Sequence, residues 1–409
     1  MYGAIVWWPS LDKGVYKAQM GKVQRLASML ITGCLRTTSS KALDTILHLL
    51  PVDLYCKQSA ACAALRLNAV SPWREIHYGH SKILSTYRVS TNNTDYTQPT
   101  PLFERQFSIT IPTREEWETG QIKPEGCVIY TDGSKLGGKV GSGVFSEYPS
   151  LNLSFRLPDY CSVFQAEMIA ILEASIWIKQ GSHKCNELSI LTDSQAAIKA
   201  LNSVYQNSRV ALQCKTILNE LAGKTKVNLY WVPGHRDILG NCKADELARL
   251  GTTLLESNLN YKPGEQIANQ RLLIKNMVTH QATTRWNEEP TCCHTKQLWP
   301  ELNLRRSKDV IALSRHNICT VIAVLTGHWV GGQHALRLGI TGRQDYCPSC
   351  HDEEEEESIE HLLCHCPAFC PTRWSTLGHP HLDNLTDLQS VRIKDLLLFL
   401  NSTKWFVRH

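Results

Sequence analysis

Residues 127–251 predict an α/β fold with elements in the order βββαβαβα, and three features carry that prediction. Two short β-branched runs, Cys127–Thr131 and Leu188–Thr192, each end in an aspartate, Asp132 and Asp193, as strands that run into a turn do. Between them Phe164–Gln180 is apolar on nearly every side, which marks a buried helix, yet it carries Glu167 in its first turn.

The remaining elements come in chain order. Asp132 is followed by the turn residues Gly133-Ser134, Gly141–Glu147 reads as the second strand of a meander, and Leu151–Leu157 alternates as the third. Beyond Asp193-Ser194, Ala196–Leu201 reads as a short helix and Val227–Trp231 as a further strand. Then come Val232-Pro233-Gly234-His235-Arg236 and Gly240-Asn241-Cys242-Lys243-Ala244-Asp245-Glu246, a loop that opens a helix carrying Asp245. Taken singly, each acid is what a solvated strand-end or capping residue would give. An ionised glutamate in a buried helix needs a partner, however, and adjacent strand ends bring Asp132 and Asp193 together. Four neighbouring carboxylates repel unless divalent cations occupy the gap, and Mg²⁺ binds through a few carboxylates plus water and phosphate oxygens.

The chain of 409 residues is too long for one ordinary core, and 43% hydrophobic content is ample for two or three packed units. No apolar run reaches the ~18–20 residues needed to cross a bilayer, and Met1 precedes Tyr-Gly-Ala rather than a basic segment with a cleavage site. The expectation is an intracellular protein, in cytoplasm or nucleus, with no membrane partner. A net charge of +5 is small for this length, so any polyanion site is local. Sixteen scattered cysteines without a leader favour reduced thiols plus a metal cluster.

The first 70 residues show helical periodicity, with Val23, Leu26, Leu30 and Ile31, then Leu43, Ile46, Leu47 and Leu50 before Pro51. Their basic residues, Lys13, Lys17, Lys22, Arg25 and Arg36 among them, outnumber the acids, which fits a polyanion-facing surface and equally fits solvated helix faces. Residues 88–126, with Asn92-Asn93-Thr94-Asp95 and Gln98-Pro99-Thr100-Pro101, read as a linker with little regular structure. Residues 252–340 read as helical, with a basic patch at Arg305, Arg306 and Lys308.

Near the C-terminus, Cys347-Pro348-Ser349-Cys350 is followed by His361 and Cys366, a C-x₂-C-x₁₀-H-x₄-C spacing that suits one tetrahedral, structural Zn²⁺. Cys364, His365 and Cys370 are rival fourth ligands, and reduced unliganded residues are the alternative. The acidic run Glu353–Glu357 between the two halves reads as a solvated loop.

The segments Tyr130-Thr131-Asp132-Gly133-Ser134, Phe164-Gln165-Ala166-Glu167, Leu191-Thr192-Asp193-Ser194-Gln195-Ala196-Ala197, Val232-Pro233-Gly234-His235, Gly240-Asn241 and Ala244-Asp245-Glu246-Leu247-Ala248 resemble the ribonuclease H family in order and wording. That resemblance implies a mixed five-stranded sheet and hydrolysis of the RNA strand of RNA–DNA hybrids. It also implies that Asp132, Glu167, Asp193 and Asp245 hold two Mg²⁺, with Mn²⁺ as a substitute, and that His235 in a flexible loop assists proton transfer or product release. His235 as a loop residue without function stays an alternative. Strand transferases share the fold, so fold alone does not settle the chemistry.

Beyond this domain, Tyr2-Gly3-Ala4-Ile5-Val6-Trp7-Trp8-Pro9, Val23-Gln24-Arg25-Leu26-Ala27, Ile31-Thr32-Gly33 and Arg36-Thr37-Thr38 resemble the end of a non-LTR retrotransposon reverse transcriptase. Leu325-Thr326-Gly327-His328 and the Cys-Cys-His-Cys spacing resemble the region downstream of ribonuclease H in insect-type elements of that class. The layout this implies is a helical remnant at 1–87, a linker at 88–126, ribonuclease H at 127–251, a helical connection at 252–340, a zinc-knuckle-like module at 341–371 and a tail to 409. An upstream reverse-transcriptase polypeptide is then a partner beside the hybrid. No Tyr-x-Asp-Asp polymerase motif is present, so DNA synthesis is not expected. Two other functions compete with the hybrid nuclease: a catalytically silent nucleic-acid-binding remnant and a transposase-like strand transferase.

Overall fold

The β-branched runs form parallel strands whose register brings Asp132, within the first, beside Asp193, just past the end of the second. A computed structural model describes residues 2–71, 73, 79–89, 93–181, 185–234, 238–255, 259–329, 331–337, 339, 346–351 and 355–405. Its chain divides into two compact units, Met1–Ala61 with Ile274–His409, and Cys62–Leu273.

In the second unit the described strands are β1 (Tyr96–Pro101), β2 (Ser108–Thr110), β3 (Cys127–Leu136), β4 (Lys139–Ser146), β5 (Leu151–Leu157), β6 (Glu187–Thr192), β7 (Tyr205–Ser208) and β8 (Lys226–Trp231). β3, β4 and β5 make the antiparallel meander, while β6 lies parallel to β3 and β8 parallel to β6. This is the mixed, ribonuclease H-like α/β sheet, with one strand more than the five expected: β2 adds in parallel beside β8, giving the order β2-β8-β6-β3-β4-β5.

Four helices complete it: α1 (Val163–Gln180), α2 (Gln195–Asn202), α3 (Arg209–Ala222) and α4 (Leu239–Thr253). α1 starts at a capping box in which the Ser162 hydroxyl accepts from Gln165 N–H and Gln165 Oε1 accepts from Ser162 N–H. Its Met168, Ile169, Ala170, Ile171, Leu172 and Ala174 are fully buried in a core with Ile129, Val144, Ile190 and Leu229 from the strands. Each side of the helix therefore meets apolar groups, which is why its sequence shows almost no polar face.

Several expectations need correction. The order from β3 onward is βββαβαβαβα, because β7 and α3 were not anticipated, although Val210, Cys214, Ile217, Leu218 and Leu221 recur at the helical spacing of α3 and are buried. α4 begins at Leu239, so Gly240 and Asn241 are helical rather than part of the loop. The stretch 88–126 is not structureless. Pro99 and Pro101 are tolerated because β1 forms only a two-stranded antiparallel ribbon with β7, where the missing N–H costs little. Asp95 is buried at the start of α3, accepting from Val210 N–H at 3.0 Å and from the Ser208 hydroxyl at 2.6 Å. Reduced thiols fail at one pair, for Cys127 and Cys185 are joined by a disulfide with Cα atoms 6.1 Å apart.

The first unit is helical. Leu43 and Ile46 of helix Ser40–Ile46 share a core with Trp299, Val310, Val321, Leu325, Leu362, Leu363, Phe399, Leu400 and Trp405. Helix Gly14–Thr32 forms as expected, but Val23, Leu26, Leu30 and Ile31 are exposed and its buried residues are Ser28 and Thr32. Ile359, Leu362 and Leu363 belong to that core, so the segment after Cys347 is not a free-standing knuckle. Among the described residues no helix is long and apolar enough to cross a membrane.

Candidate active site and a cysteine–histidine cluster

Thr131 pairs with Thr192 in the β3–β6 ladder, so Asp193, just past the end of β6, stands beside Asp132, which lies within β3 opposite Gly143 rather than at the expected strand end, because β3 runs on through Gly133 and Ser134 to Leu136. Gly133 admits the third acid. A Cβ there would stand 2.5 Å from Glu167 N, so only glycine lets the first turn of α1 press onto β3. Carboxylate oxygens of Asp132, Glu167 and Asp193 all lie within 4.8 Å of one another. Asp245 comes from α4, which sits directly on β4 because Cβ atoms at Gly141 and Gly143 would collide with the backbone at Ala248 and Ala244. Its charge acts on Asp132, and Arg249 grips it through Nε to Oδ1 at 3.0 Å and Nη2 to Oδ2 at 2.7 Å. Three of the four expected acids thus form one tight group, with Asp245 at its side.

Burial, then the charges of Asp193 and Asp245, push the Asp132 carboxyl up to about 7. Burial and the charges of Asp132 and Asp193 hold Glu167 well above the usual carboxylate range, against the opposing pull of the Gly133 N–H. Glu167 Oε2 is buried and has no hydrogen-bond partner among the described residues. Converging anionic oxygens, one of them lacking any donor, fit a hard divalent cation.

The loop beyond β8 starts against this group, since a Cβ at Gly234 would lie 2.8 Å from Asp193 Oδ2. His235, the next residue, lies outside the described residues. Two tryptophans to which the sequence assigns no functional part fix the Asp193 backbone: Trp231 Nε1 donates to the Asp193 carbonyl at 3.0 Å, and Trp117 Nε1 donates to the Trp231 carbonyl at 2.9 Å. Trp117 falls in the supposed linker, and no spacing rule connects it to the acids.

In the first unit, ligand atoms of Cys347, Cys350, His361 and Cys366 also lie within 4.8 Å of one another. His361 is offered by the one-turn π-helix His361–His365. Hydrogen bonding from Cys366, with help from His361, holds the Cys347 thiol down at about 3, while Cys366 is pushed upward by the same bond. His361 Nε2 is 3.5 Å from Cys350 Sγ, and Nδ1 is 3.1 Å from Glu355 Oε2, so a carboxylate orients the ring toward the sulfurs. Thiolate and imidazole donors of this kind suit Zn²⁺.

The rival ligands stand elsewhere. Cys364 is fully buried in the apolar core, His365 Nε2 lies against the Asp383 carbonyl at 3.2 Å, and Cys370 is near His381. The acidic run is not simply solvated, as expected from its charge. Glu357 is buried and accepts from Gly332 N–H at 2.6 Å and Trp405 Nε1 at 2.9 Å, while Asp352, Glu353 and Glu354 lie outside the described residues.

Among known proteins, residues 124–253 match the family described as RNase H. The Pol polyprotein of Ovine maedi visna related virus (strain South Africa) is 32% identical over 138 residues, covering 32% of this chain and 12% of the polyprotein. The crystal structure of RNase H1 from the halophilic archaeon Halobacterium salinarum NRC-1 matches at 20% identity over 31% of this chain and 96% of that one, with a TM-score of 0.24. The chain spans 12% of the length of the polyprotein it matches.

Proposed function

We propose that the domain at residues 124–253 is an endonuclease that cuts the RNA strand of RNA–DNA hybrids, within retrotransposon reverse transcription beside an upstream reverse-transcriptase polypeptide. The observation that carries this reading is the convergence of buried Asp132 and Glu167 with half-buried Asp193, Glu167 Oε2 having no partner among the described residues, in a segment that matches the RNase H family. Asp132, Glu167, Asp193 and Asp245 would hold two Mg²⁺, which supply an activated water and stabilise the leaving 3′ oxygen, giving 5′ phosphate and 3′ hydroxyl ends. Arg249 keeps Asp245 turned along α4, the two tryptophans hold the Asp193 backbone, and His235 moves a proton or aids product release. Cys347, Cys350, His361 and Cys366 would bind one structural Zn²⁺, leaving no open position for chemistry.

The test is cleavage by the full chain of a labelled RNA–DNA hybrid, duplex DNA and duplex RNA, each with and without Mg²⁺. RNA-strand cuts confined to the hybrid and dependent on Mg²⁺ support the reading. Strand joining, or equal attack on duplex DNA, would replace it with a strand transferase, and binding without cleavage would leave a silent remnant.

A further inference from the structure

The Leu325-Thr326-Gly327-His328 motif belongs to neither the acids nor the sulfur cluster, and three imidazoles gather around it. Helix Arg315–Thr326 ends at Gly327, whose φ of 72° is left-handed and whose Cβ would stand 3.1 Å from the His294 ring. Glycine suits both the turn and the close approach to that ring. Beyond it the His328 and His334 rings meet edge to face, with 4.8 Å between centroids. All three histidines are half-buried in the first unit and line one cavity of about 360 Å³, room for an ion and several waters of ~30 Å³ each.

Each ring is held on one side by an oxygen. His294 Nε2–H donates to the Val324 carbonyl at 2.8 Å, which puts the lone pair of the neutral ring on Nδ1. The Thr37 hydroxyl lies 3.1 Å from His328 Nδ1 and 3.4 Å from His334 Nε2. One hydroxyl oxygen can accept from both, which leaves the lone pairs on His328 Nε2 and His334 Nδ1. Burial, then the neighbouring imidazoles for His328 and the Arg337 guanidinium for His334, hold these two rings below the ordinary histidine range, and burial does the same to His294. Neutral imidazoles are weak partners for an anion and good ligands for a transition metal. Formal charge among the described lining residues also favours a cation, with Glu356, Glu357 and Glu360 against Arg337.

We propose that His294, His328 and His334 bind one divalent transition-metal ion of the Zn²⁺, Ni²⁺ or Co²⁺ class, through His294 Nδ1, His328 Nε2 and His334 Nδ1, with Thr37 orienting two of the rings. The three are less tightly gathered than the ligands of the cysteine–histidine cluster, so binding draws the rings inward and water from the cavity completes the shell. The oxygen behind each ring is the arrangement that fixes the tautomer of a metal-bound histidine.

The experiment titrates the metal-free full chain with Co²⁺ and follows hyperfine-shifted, solvent-exchangeable imidazole N–H signals by proton nuclear magnetic resonance. Bound Co²⁺ is counted by equilibrium dialysis, and the ion-free unfolding midpoint is measured alongside, for wild type, Asp193→Asn, Thr37→Val, His328→Asn and His334→Asn. Wild type should show three such signals besides the one that His361 would give, and Asp193→Asn should keep all three, which separates this site from the acids. Each histidine variant should lose one equivalent of Co²⁺ at an unchanged ion-free midpoint. Thr37→Val should bind that equivalent about 10–100-fold more weakly, the range typical for groups that orient a metal's ligands. If a histidine variant also melts early, the wild-type signals decide alone. No imidazole signal in wild type beyond that of His361 overturns the proposal, as does an equal Co²⁺ count in wild type and both histidine variants. So does a midpoint raised by inorganic phosphate and not by Co²⁺, which marks the cavity as an anion site.

Discussion

The acids of the sheet come from four elements spread between Asp132 and Asp245, whereas the sulfur and imidazole groups of the other unit lie between Cys347 and Cys366. The acids are held by close backbone approach: Gly133, Gly141 and Gly143 let helices touch strands, and a continuous apolar core lies behind them. The cysteine–histidine cluster instead hangs on side-chain hydrogen bonds. Arg373, fully buried, donates to the carbonyls of Leu362, Cys366 and Pro380 at 3.1, 2.7 and 2.8 Å, and Glu355 steadies His361. A site built into a sheet keeps its shape when its ion leaves. A site built on one irregular loop depends on each tether, and on the metal as one of them.

Replacing one acid should therefore abolish chemistry and spare the fold. Asp193→Asn is expected to slow hybrid cleavage on the order of 10³-fold or more, through loss of several kcal/mol of transition-state stabilisation, with an unchanged circular dichroism spectrum. Near-normal turnover by the folded variant would show that the acids are not the catalytic group.

The tethers of the other cluster should behave in reverse. Arg373→Ala removes a donor from the carbonyls of Leu362, Cys366 and Pro380 and empties a buried site, at about 1–3 kcal/mol for a buried group left unsatisfied, so the first unit should melt below its wild-type midpoint. Hybrid cleavage measured below that midpoint should change little. Cys366→Ser should lose one equivalent of zinc by metal analysis of the full chain, while Cys364→Ser keeps it, because Cys364 faces the apolar core. Zinc lost from Cys364→Ser alone would reverse the ligand assignment.

A smaller effect separates the two sites by pH. Asp132 binds its proton more tightly in the fold, up to about 7, than the ~3.9 of an unfolded aspartate, so the native state holds more protons in that window. Stability without divalent ions should then fall as pH rises from about 4 to 7, and Asp132→Asn should flatten part of that slope. A calorimetric series in chelator, wild type beside Asp132→Asn, checks the sign; parallel slopes would mean that Asp132 titrates normally.

Much of the sheet was legible because strands and helices advertise themselves over a few residues. Cys127–Thr131, Leu151–Leu157 and Leu188–Thr192 alternate or branch as strands must, and Ser162 with Gln165 is a local helix start. The Cys-x-x-Cys spacing, too, is short-range. What did not show was whatever depends on a partner far away in sequence. β2 is three residues long and exists only because Asn228, Leu229 and Tyr230 stand beside it, and Trp117 acts on Asp193 through Trp231.

By itself the sequence determined the α/β order of the meander and its neighbours, the candidate acids and the candidate metal ligands, since each is written in residue type and local spacing. Tertiary structure alone decided that Asp132, Glu167 and Asp193 converge while Asp245 turns to Arg249, and that Cys366 rather than Cys364 joins the sulfur cluster. The reason is physical: propensity and periodicity act between near neighbours, whereas burial, close backbone approach and the meeting of charges are properties of surfaces that exist only once the chain has packed.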